Sequence, residues 1–141
     1  FEQVDLAGES WQTGPVVLAW DEAARAGELD GHNLVIHEFA HKLDMLNGEA
    51  NGFPPLPASM SPRTWTEVFS AAFADFQQRC AQHAAQPIDC YAATSPAEFF
   101  AVLSEVFFER PKLLQHHYAG VYEQLRLYYR QDPLARLASV Q

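Results

Sequence analysis

The sequence predicts an α+β fold that is mostly helical, with a small sheet beside one apolar helix. Apolar runs with helical period recur through the chain, and two of the predicted helices open at a Ser-Pro pair. One short β-prone run, residues 16–20, follows Gly14-Pro15 and is the predicted strand.

Length and composition indicate one folded domain spanning residues 1–141. The chain begins at Phe1 and not at Met, so we expect it to be trimmed at its N-terminus. A net charge of −9 argues against nonspecific binding to nucleic acid or anionic membranes. No apolar run reaches about 18 residues, which argues against a membrane span. Cys80 and Cys90 lack a C-x-x-C spacing, so we expect reduced thiols, with a single disulfide left open.

The elements follow in order. The predicted strand leads into a short helical turn at 21–27, and the central helix begins near 31–33 and ends at Asn47-Gly48. Three prolines and a glycine make residues 49–61 either a long ordered loop or a mobile rim over the predicted cleft. The remaining predicted elements are a helix 62–83, a connector 84–94, a helix 96–109, helices 112–118 and 121–130, and an end of regular structure at Asp132-Pro133.

The central helix carries an H-E-x-x-H motif at residues 37–41. His37 and His41 project from one helix face, one turn apart, which lets both imidazoles reach one zinc ion. Glu38 stands beside the open position, where a carboxylate can act on water. Asp44 shares the polar stripe, and we predict that it orients a ligand histidine.

Two histidines do not hold a catalytic zinc, so a third protein ligand is required. The best source is the helix 96–109, which is apolar on almost every side except for a thin stripe of Glu98, Glu105 and Glu109. Glu98 also completes a capping box that begins at Ser95. The local pattern favours Glu98 and Glu105 equally as the ligand.

Four segments together resemble the Mlc titration factor A family of bacterial zinc peptidases. They are P-V-V-L-A-W-D at 15–21, H-E-F-A-H-K-L-D at 37–44, N-G-x-x-N-G-x-P at 47–54 and P-A-E-F-F-A-V-L-S-E-x-F-F-E at 96–109. The metal-site segments are also similar to the protease domain of anthrax lethal factor. The resemblance implies a zincin-like fold of the gluzincin type, with the sheet beside the H-E-x-x-H helix.

The same resemblance assigns site residues by position. It implies that Glu98 is the third zinc ligand, that the Tyr91 hydroxyl stabilises the oxyanion, and that Asp44 is the orienting partner. Where lethal factor has a second glutamate this chain has Val102, and Glu105 is our candidate for that supporting role.

These observations predict a zinc-dependent peptidase with one zinc per chain, acting on a peptide or protein. The resemblance further implies aminopeptidase-type activity, a cytoplasmic location and binding of the glucose-uptake repressor Mlc. The alternative is a non-catalytic, zinc-containing regulatory protein that binds and sequesters a transcriptional repressor. The predicted strand at 16–20 either pairs with an extended substrate or only builds the sheet.

Overall fold

The computed structural model describes residues 33–82 and 85–140, which form six α-helices and two short 3₁₀ turns. The 3₁₀ turn Met45–Asn47 extends the first helix, and the 3₁₀ turn Cys90–Ala93 precedes the third. Numbered in chain order, the helices are α1 (Leu34–Asp44), α2 (Pro62–Ala81), α3 (Pro96–Glu109), α4 (Pro111–His117), α5 (Ala119–Tyr129) and α6 (Pro133–Val140).

The prediction of an α+β fold with a small sheet is wrong. Throughout residues 33–82 and 85–140 all regular structure is helical, with no strand. Helix α3 packs against α1, α4, α5 and the turn Cys90–Ala93, so its apolar faces are covered by other helical elements. The strand predicted at 16–20 and the turn predicted at 21–27 lie outside the described residues.

Helix α3 is the centre of the core. Its residues from Phe99 to Glu109 are all buried, as expected for a helix that is apolar around nearly its whole circumference. The helix begins as predicted, with Pro96 in its first turn and the Ser95 hydroxyl accepting a hydrogen bond from the Glu98 N–H at 3.1 Å. Aromatic rings of α2 and α5 pack on α3 through Trp65, Phe69 and Tyr128.

The prediction that regular structure ends at Asp132-Pro133 is wrong, because α6 begins there. Asp132 Oδ1 accepts hydrogen bonds from the Tyr122 hydroxyl at 2.6 Å and from the Ala135 N–H at 3.3 Å, and Pro133 is the first helical residue. Asp-Pro therefore starts a helix here in the same way as the two Ser-Pro pairs. Helix α2 ends at Ala81, slightly before the predicted limit at His83, which lies outside the described residues.

Gly52 fixes the long loop that joins α1 to α2. Its N–H donates to Asp44 Oδ2 at 2.7 Å, and its carbonyl accepts from Trp65 Nε1 at 3.1 Å. Its φ of +80° is a conformation that L side chains rarely adopt, and a Cβ at this position would lie 2.6 Å from the Pro96 carbonyl oxygen. The loop thus links the end of α1 to the starts of α2 and α3.

None of the helices found in the described parts of the chain is both long enough and apolar enough to cross a lipid bilayer.

We expect Gly52→Ala to destabilise the protein by about 2–4 kcal/mol, because it adds a backbone clash to the strain of positive φ. The free energy of unfolding measured in urea tests this. Gly48→Ala is the matched control, since Gly48 also has positive φ (133°) but a Cβ there meets nothing within 4 Å. We expect that control to cost about 1–2 kcal/mol from backbone strain alone, and equal losses in the two variants would contradict the close approach to Pro96.

Candidate metal centre

The cap of α1 sets the direction of the two motif histidines. Asn33 is extended (φ −142°), and its Oδ1 accepts hydrogen bonds from the N–H groups of Val35 at 3.0 Å and Ile36 at 3.2 Å. His37 and His41 follow on one face of the helix, with ring centroids 4.8 Å apart. Both imidazoles therefore face the same neighbour, the first turn of α3.

Glu98 meets the two histidines from that turn. Its Oε1 lies 2.9 Å from His37 Nε2 and 3.1 Å from His41 Nε2. The carboxylate is thus directed at the imidazoles, while the Ser95 hydroxyl caps the helix through the Glu98 backbone. Of the two glutamates that the local sequence pattern left open, Glu98 is the one that joins the histidines in a possible metal-binding group.

The three donors fit a tetrahedral metal ion. Potential ligand atoms of His37, His41 and Glu98 all lie within 4.8 Å of one another. Zinc with bonds of about 2.0–2.1 Å places its ligand atoms roughly 3.3 Å apart, close to the spacing seen between Glu98 and the two Nε2 atoms. Two imidazoles and one carboxylate also leave a fourth position open, as in catalytic zinc sites.

The electrostatics of the site are those of a closely coupled cluster. The hydrogen bond to Glu105 raises the pKa of His37 above its ordinary value, although burial opposes this shift. Burial also opposes ionisation of Glu98, but the charge of His41 and hydrogen bonds from His41, Tyr91 and His37 lower the pKa of Glu98. The cluster therefore favours an ionised Glu98.

Glu105 supports His37 from behind. Its Oε2 lies 2.5 Å from His37 Nδ1, and its Oε1 accepts the Asn33 backbone N–H at 2.7 Å. Since a carboxylate can only accept, Nδ1 donates its proton to Glu105, and Nε2 is the nitrogen that faces Glu98 and would bind a metal once it has lost its own proton. Glu105 therefore contacts one ring nitrogen of His37 while Glu98 contacts the other, and the supporting role of Glu105 stays a prediction.

Asn33 is a residue whose role the sequence reasoning missed. Its side chain caps α1 through Oδ1 and donates from Nδ2 to Glu109 Oε2 at 3.2 Å, while its backbone holds Glu105. One residue thus joins the start of the helix that carries both histidines to two buried carboxylates of α3. Its place on the polar stripe, directly before the helix, was the available signal.

Asp44 occupies a different position from Glu105. It is fully buried, and its Oδ2 accepts the Gly52 N–H at 2.7 Å. Burial raises the pKa of Asp44, against the backbone N–H groups of Gly52, Asn51 and Phe53. Asp44 therefore ties the end of α1 to the loop, and its predicted role in orienting a histidine stays a prediction.

Glu38 and Tyr91 both line an open cleft of about 520 Å³. Leu34, His37 and Glu38 line it from α1, and Asp89 and Tyr91 line it from the segment around the turn Cys90–Ala93. The rings of Tyr91 and His37 are 6.3 Å apart, and Tyr91 is 51% exposed. A hydrogen bond to Glu98 raises the pKa of Tyr91, so the phenol keeps its proton at neutral pH.

A disulfide between Cys80 and Cys90 lies next to this tyrosine. The expectation of two reduced thiols is therefore wrong for this structure. The bond joins the last turn of α2 to the first residue of the turn Cys90–Ala93. The sequence separation of the two cysteines and the small number of cysteines in the chain did not indicate that these two elements come together.

The chain is similar to proteins of one known family. A family model described as glucose-regulated metallo-peptidase M90 matches residues 2–130. Mlc titration factor A of Serratia proteamaculans (strain 568) is 45% identical over 138 residues, which cover 96% of this chain and 52% of that protein. The proteins of the same name from Yersinia pestis (strain Pestoides F) and Yersinia pseudotuberculosis serotype O:1b (strain IP 31758) are each 46% identical over 134 residues, covering 93% of this chain and 49% of theirs.

The chain therefore spans about half the length of these curated relatives. The matches confirm the resemblance to the Mlc titration factor A family that the sequence motifs indicated.

We expect Glu105→Gln to weaken zinc affinity by about tenfold or more, because a neutral amide supports His37 less well than a carboxylate. Competition against a chromophoric chelator measures this affinity. Glu109→Gln is the matched control, since Glu109 is also buried on α3 and, in the described part of the chain, accepts from Asn33 Nδ2 and not from His37 or His41. Equal losses of affinity in both variants would contradict a specific role for Glu105.

Proposed function

Because the chain belongs to the glucose-regulated metallo-peptidase M90 family, we propose that it hydrolyses peptide bonds with a zinc ion held by His37, His41 and Glu98. The observation that carries the proposal is the convergence of these three side chains, of which His37 lines an open cleft. The donor set is also that of catalytic zinc, with two histidines and one glutamate.

In the proposed mechanism, zinc when bound would lower the pKa of water and polarise the scissile carbonyl. Glu38 lies in the cleft next to His37, where its carboxylate takes the proton of the attacking water. The same carboxylate then delivers that proton to the leaving amine. The protein thus needs only one acid–base residue for both proton transfers.

Tyr91 is the proposed donor to the oxyanion. Tyr91 lines the same cleft as Glu38, and its phenol keeps its proton beside the Glu98 carboxylate. As negative charge develops on the former carbonyl oxygen, the hydroxyl can turn from Glu98 to donate to it. Glu105, through His37, and Asp44, through the loop, are proposed to hold the site in shape.

A purely structural zinc fits less well. Structural sites usually close the ion with four protein ligands, often cysteines, and both cysteines of this chain are joined in a disulfide. The predicted group contains three residues, and His37 borders the cleft.

The finer parts of the proposal rest on resemblance. We propose aminopeptidase-type cleavage of a peptide or protein substrate, and a cytoplasmic location. The name of the curated relatives supports a link to the repressor Mlc. Since the chain spans about half of those relatives, these statements concern the activity of the whole protein.

We expect Glu38→Gln to retain zinc and to lose peptide hydrolysis by at least about 10²-fold, because the general base is removed while the three ligands remain. Zinc content and steady-state hydrolysis of a chromogenic peptide amide test this. Glu67→Gln is the control, since Glu67 is an exposed glutamate of α2 paired with Arg63. A fully active Glu38→Gln protein would overturn the mechanism.

We expect Glu98→Ala to reduce zinc content to near zero after dialysis against zinc-free buffer, since two histidines alone hold the ion weakly. Metal analysis by mass spectrometry measures the stoichiometry. Glu105→Ala, refilled with excess zinc, keeps all three proposed ligands and serves as the comparison. Loss of zinc in Glu105→Ala but not in Glu98→Ala would reassign the third ligand.

The second candidate function is repressor binding without catalysis, which the relatives' name favours. The Glu38→Gln variant separates the two functions because it changes the proposed base and leaves the surface nearly unaltered. Binding of purified Mlc that persists in a variant without turnover supports an independent binding role. Binding that is lost together with turnover ties the repressor to the catalytic cleft.

A further inference from the structure

The Cys80–Cys90 disulfide joins a stable helix to the short turn that carries Tyr91. Cys80 lies in the last turn of the 20-residue helix α2, whose apolar face is in the core. Cys90 immediately precedes Tyr91 in the turn Cys90–Ala93. The bond is therefore one residue away from the proposed oxyanion donor.

The position of the Tyr91 hydroxyl depends on the backbone of this turn and on its hydrogen bond to Glu98. The Tyr91 side chain is 51% exposed, so packing restrains its ring only partly. Its backbone N–H donates to Asp89 Oδ1 at 2.9 Å, and its carbonyl accepts from the Thr94 hydroxyl at 2.8 Å, but both partners are exposed and belong to the same short segment. Such local bonds shape the turn without attaching it to the rest of the molecule.

The turn is attached to the body of the protein through the core and through α2. Ile88 and Ala92 reach the core, and Gln77 Nε2 of α2 donates to the Ala93 carbonyl at 3.2 Å. The disulfide adds a covalent link from α2 on the N-terminal side of Tyr91, opposite the Gln77 contact on its C-terminal side. Tyr91 thus lies between two links to the same helix.

We propose that the Cys80–Cys90 disulfide is a positioning element for Tyr91, and that its reduction lowers the catalytic rate while leaving the metal ligands in place. The inference rests on the proposed function of Tyr91. None of the predicted ligands is attached through the bond, since His37 and His41 lie on α1 and Glu98 on α3. The effect is therefore expected on kcat and not on zinc content.

The reaction is a two-electron reduction. The disulfide takes up two electrons and two protons to give two thiols, and a dithiol reductant is oxidised to its own disulfide. Cys90 is exposed, which gives a reductant access to one sulfur atom. In a reducing compartment the bond would form transiently, as regulatory disulfides do.

The first experiment measures hydrolysis by the zinc-loaded 141-residue chain in its oxidised form and after reduction by a trialkylphosphine. The phosphine takes the oxygen atom of one water molecule and becomes the phosphine oxide as the disulfide becomes two thiols. The chain contains only two cysteines, so this bond is the sole disulfide available to the reductant. We expect kcat to fall by about five- to fiftyfold, less than the roughly 10²–10³-fold loss from removing an oxyanion donor. KM and zinc content should change less than about twofold.

Two sets of variants decide whether the effect passes through Tyr91. The Cys80→Ser/Cys90→Ser double variant should reproduce the reduced rate and no longer respond to the phosphine. Tyr91→Phe should be slow in both redox states, with little further loss on reduction. An equal fold-loss on reduction in Tyr91→Phe and in the unaltered chain, or loss of zinc on reduction, would overturn the proposal.

The second experiment needs no activity and so separates this inference from the proposed function. The Ala92 and Thr94 N–H groups are bonded within the turn, to the Asp89 and Tyr91 carbonyls at 3.0 and 3.1 Å. We expect their hydrogen exchange to accelerate by about tenfold or more on reduction, while the amides of α3 stay protected. Accelerated hydrogen exchange in a protein without peptidase activity would reject the proposed function alone. Unchanged exchange would overturn the inference that the disulfide restrains the turn Cys90–Ala93.

Discussion

The site depends on the way two buried carboxylates of α3 are compensated. Glu105 and Glu109 are buried, and an unpaired charge there would cost several kcal/mol. Asn33 and His37 supply donors to them, and both residues belong to the start of α1. Satisfying these carboxylates therefore fixes the direction in which His37 presents Nε2. The same contacts compensate the buried carboxylates and orient a proposed metal ligand.

The helices around this site could be predicted because their signals are local. Ser95 and Pro96 mark the start of α3, and the polar stripe of α1 marks the face with both histidines. The choice between Glu98 and Glu105 was different. They lie seven residues apart on one stripe, about 10 Å along the helix axis, so both present a carboxylate to α1. Which of the two glutamates reaches His37 Nε2 depends on how far α1 is shifted along α3. No local sequence pattern specifies that shift.

The wrong predictions have two physical origins. Asp132-Pro133 was interpreted as the end of regular structure because proline ends helices. Proline that follows a capping side chain also begins helices. Here the Tyr122 hydroxyl donates to the Asp132 carboxylate at the start of α6. The sheet and the free thiols were inferred without knowledge of tertiary partners. Helices cover α3 in the described residues, and Cys80 meets Cys90 only because the chain reverses after α2. Asn33 was overlooked since its two distant glutamates lie more than 70 residues away.

The two halves of the candidate site are held in place by different means. His37 and His41 stand on a capped helix, and Glu98 begins a helix that is buried on all sides, so the proposed ligands share the stability of the core. Tyr91 comes from a four-residue turn with an exposed side chain. A change that loosens this turn can move the proposed oxyanion donor without disturbing the proposed ligands. The proposed metal binding and turnover are therefore separable properties in this architecture, because Tyr91 is an exposed residue of a short turn whereas the proposed ligands stand on helices of the core.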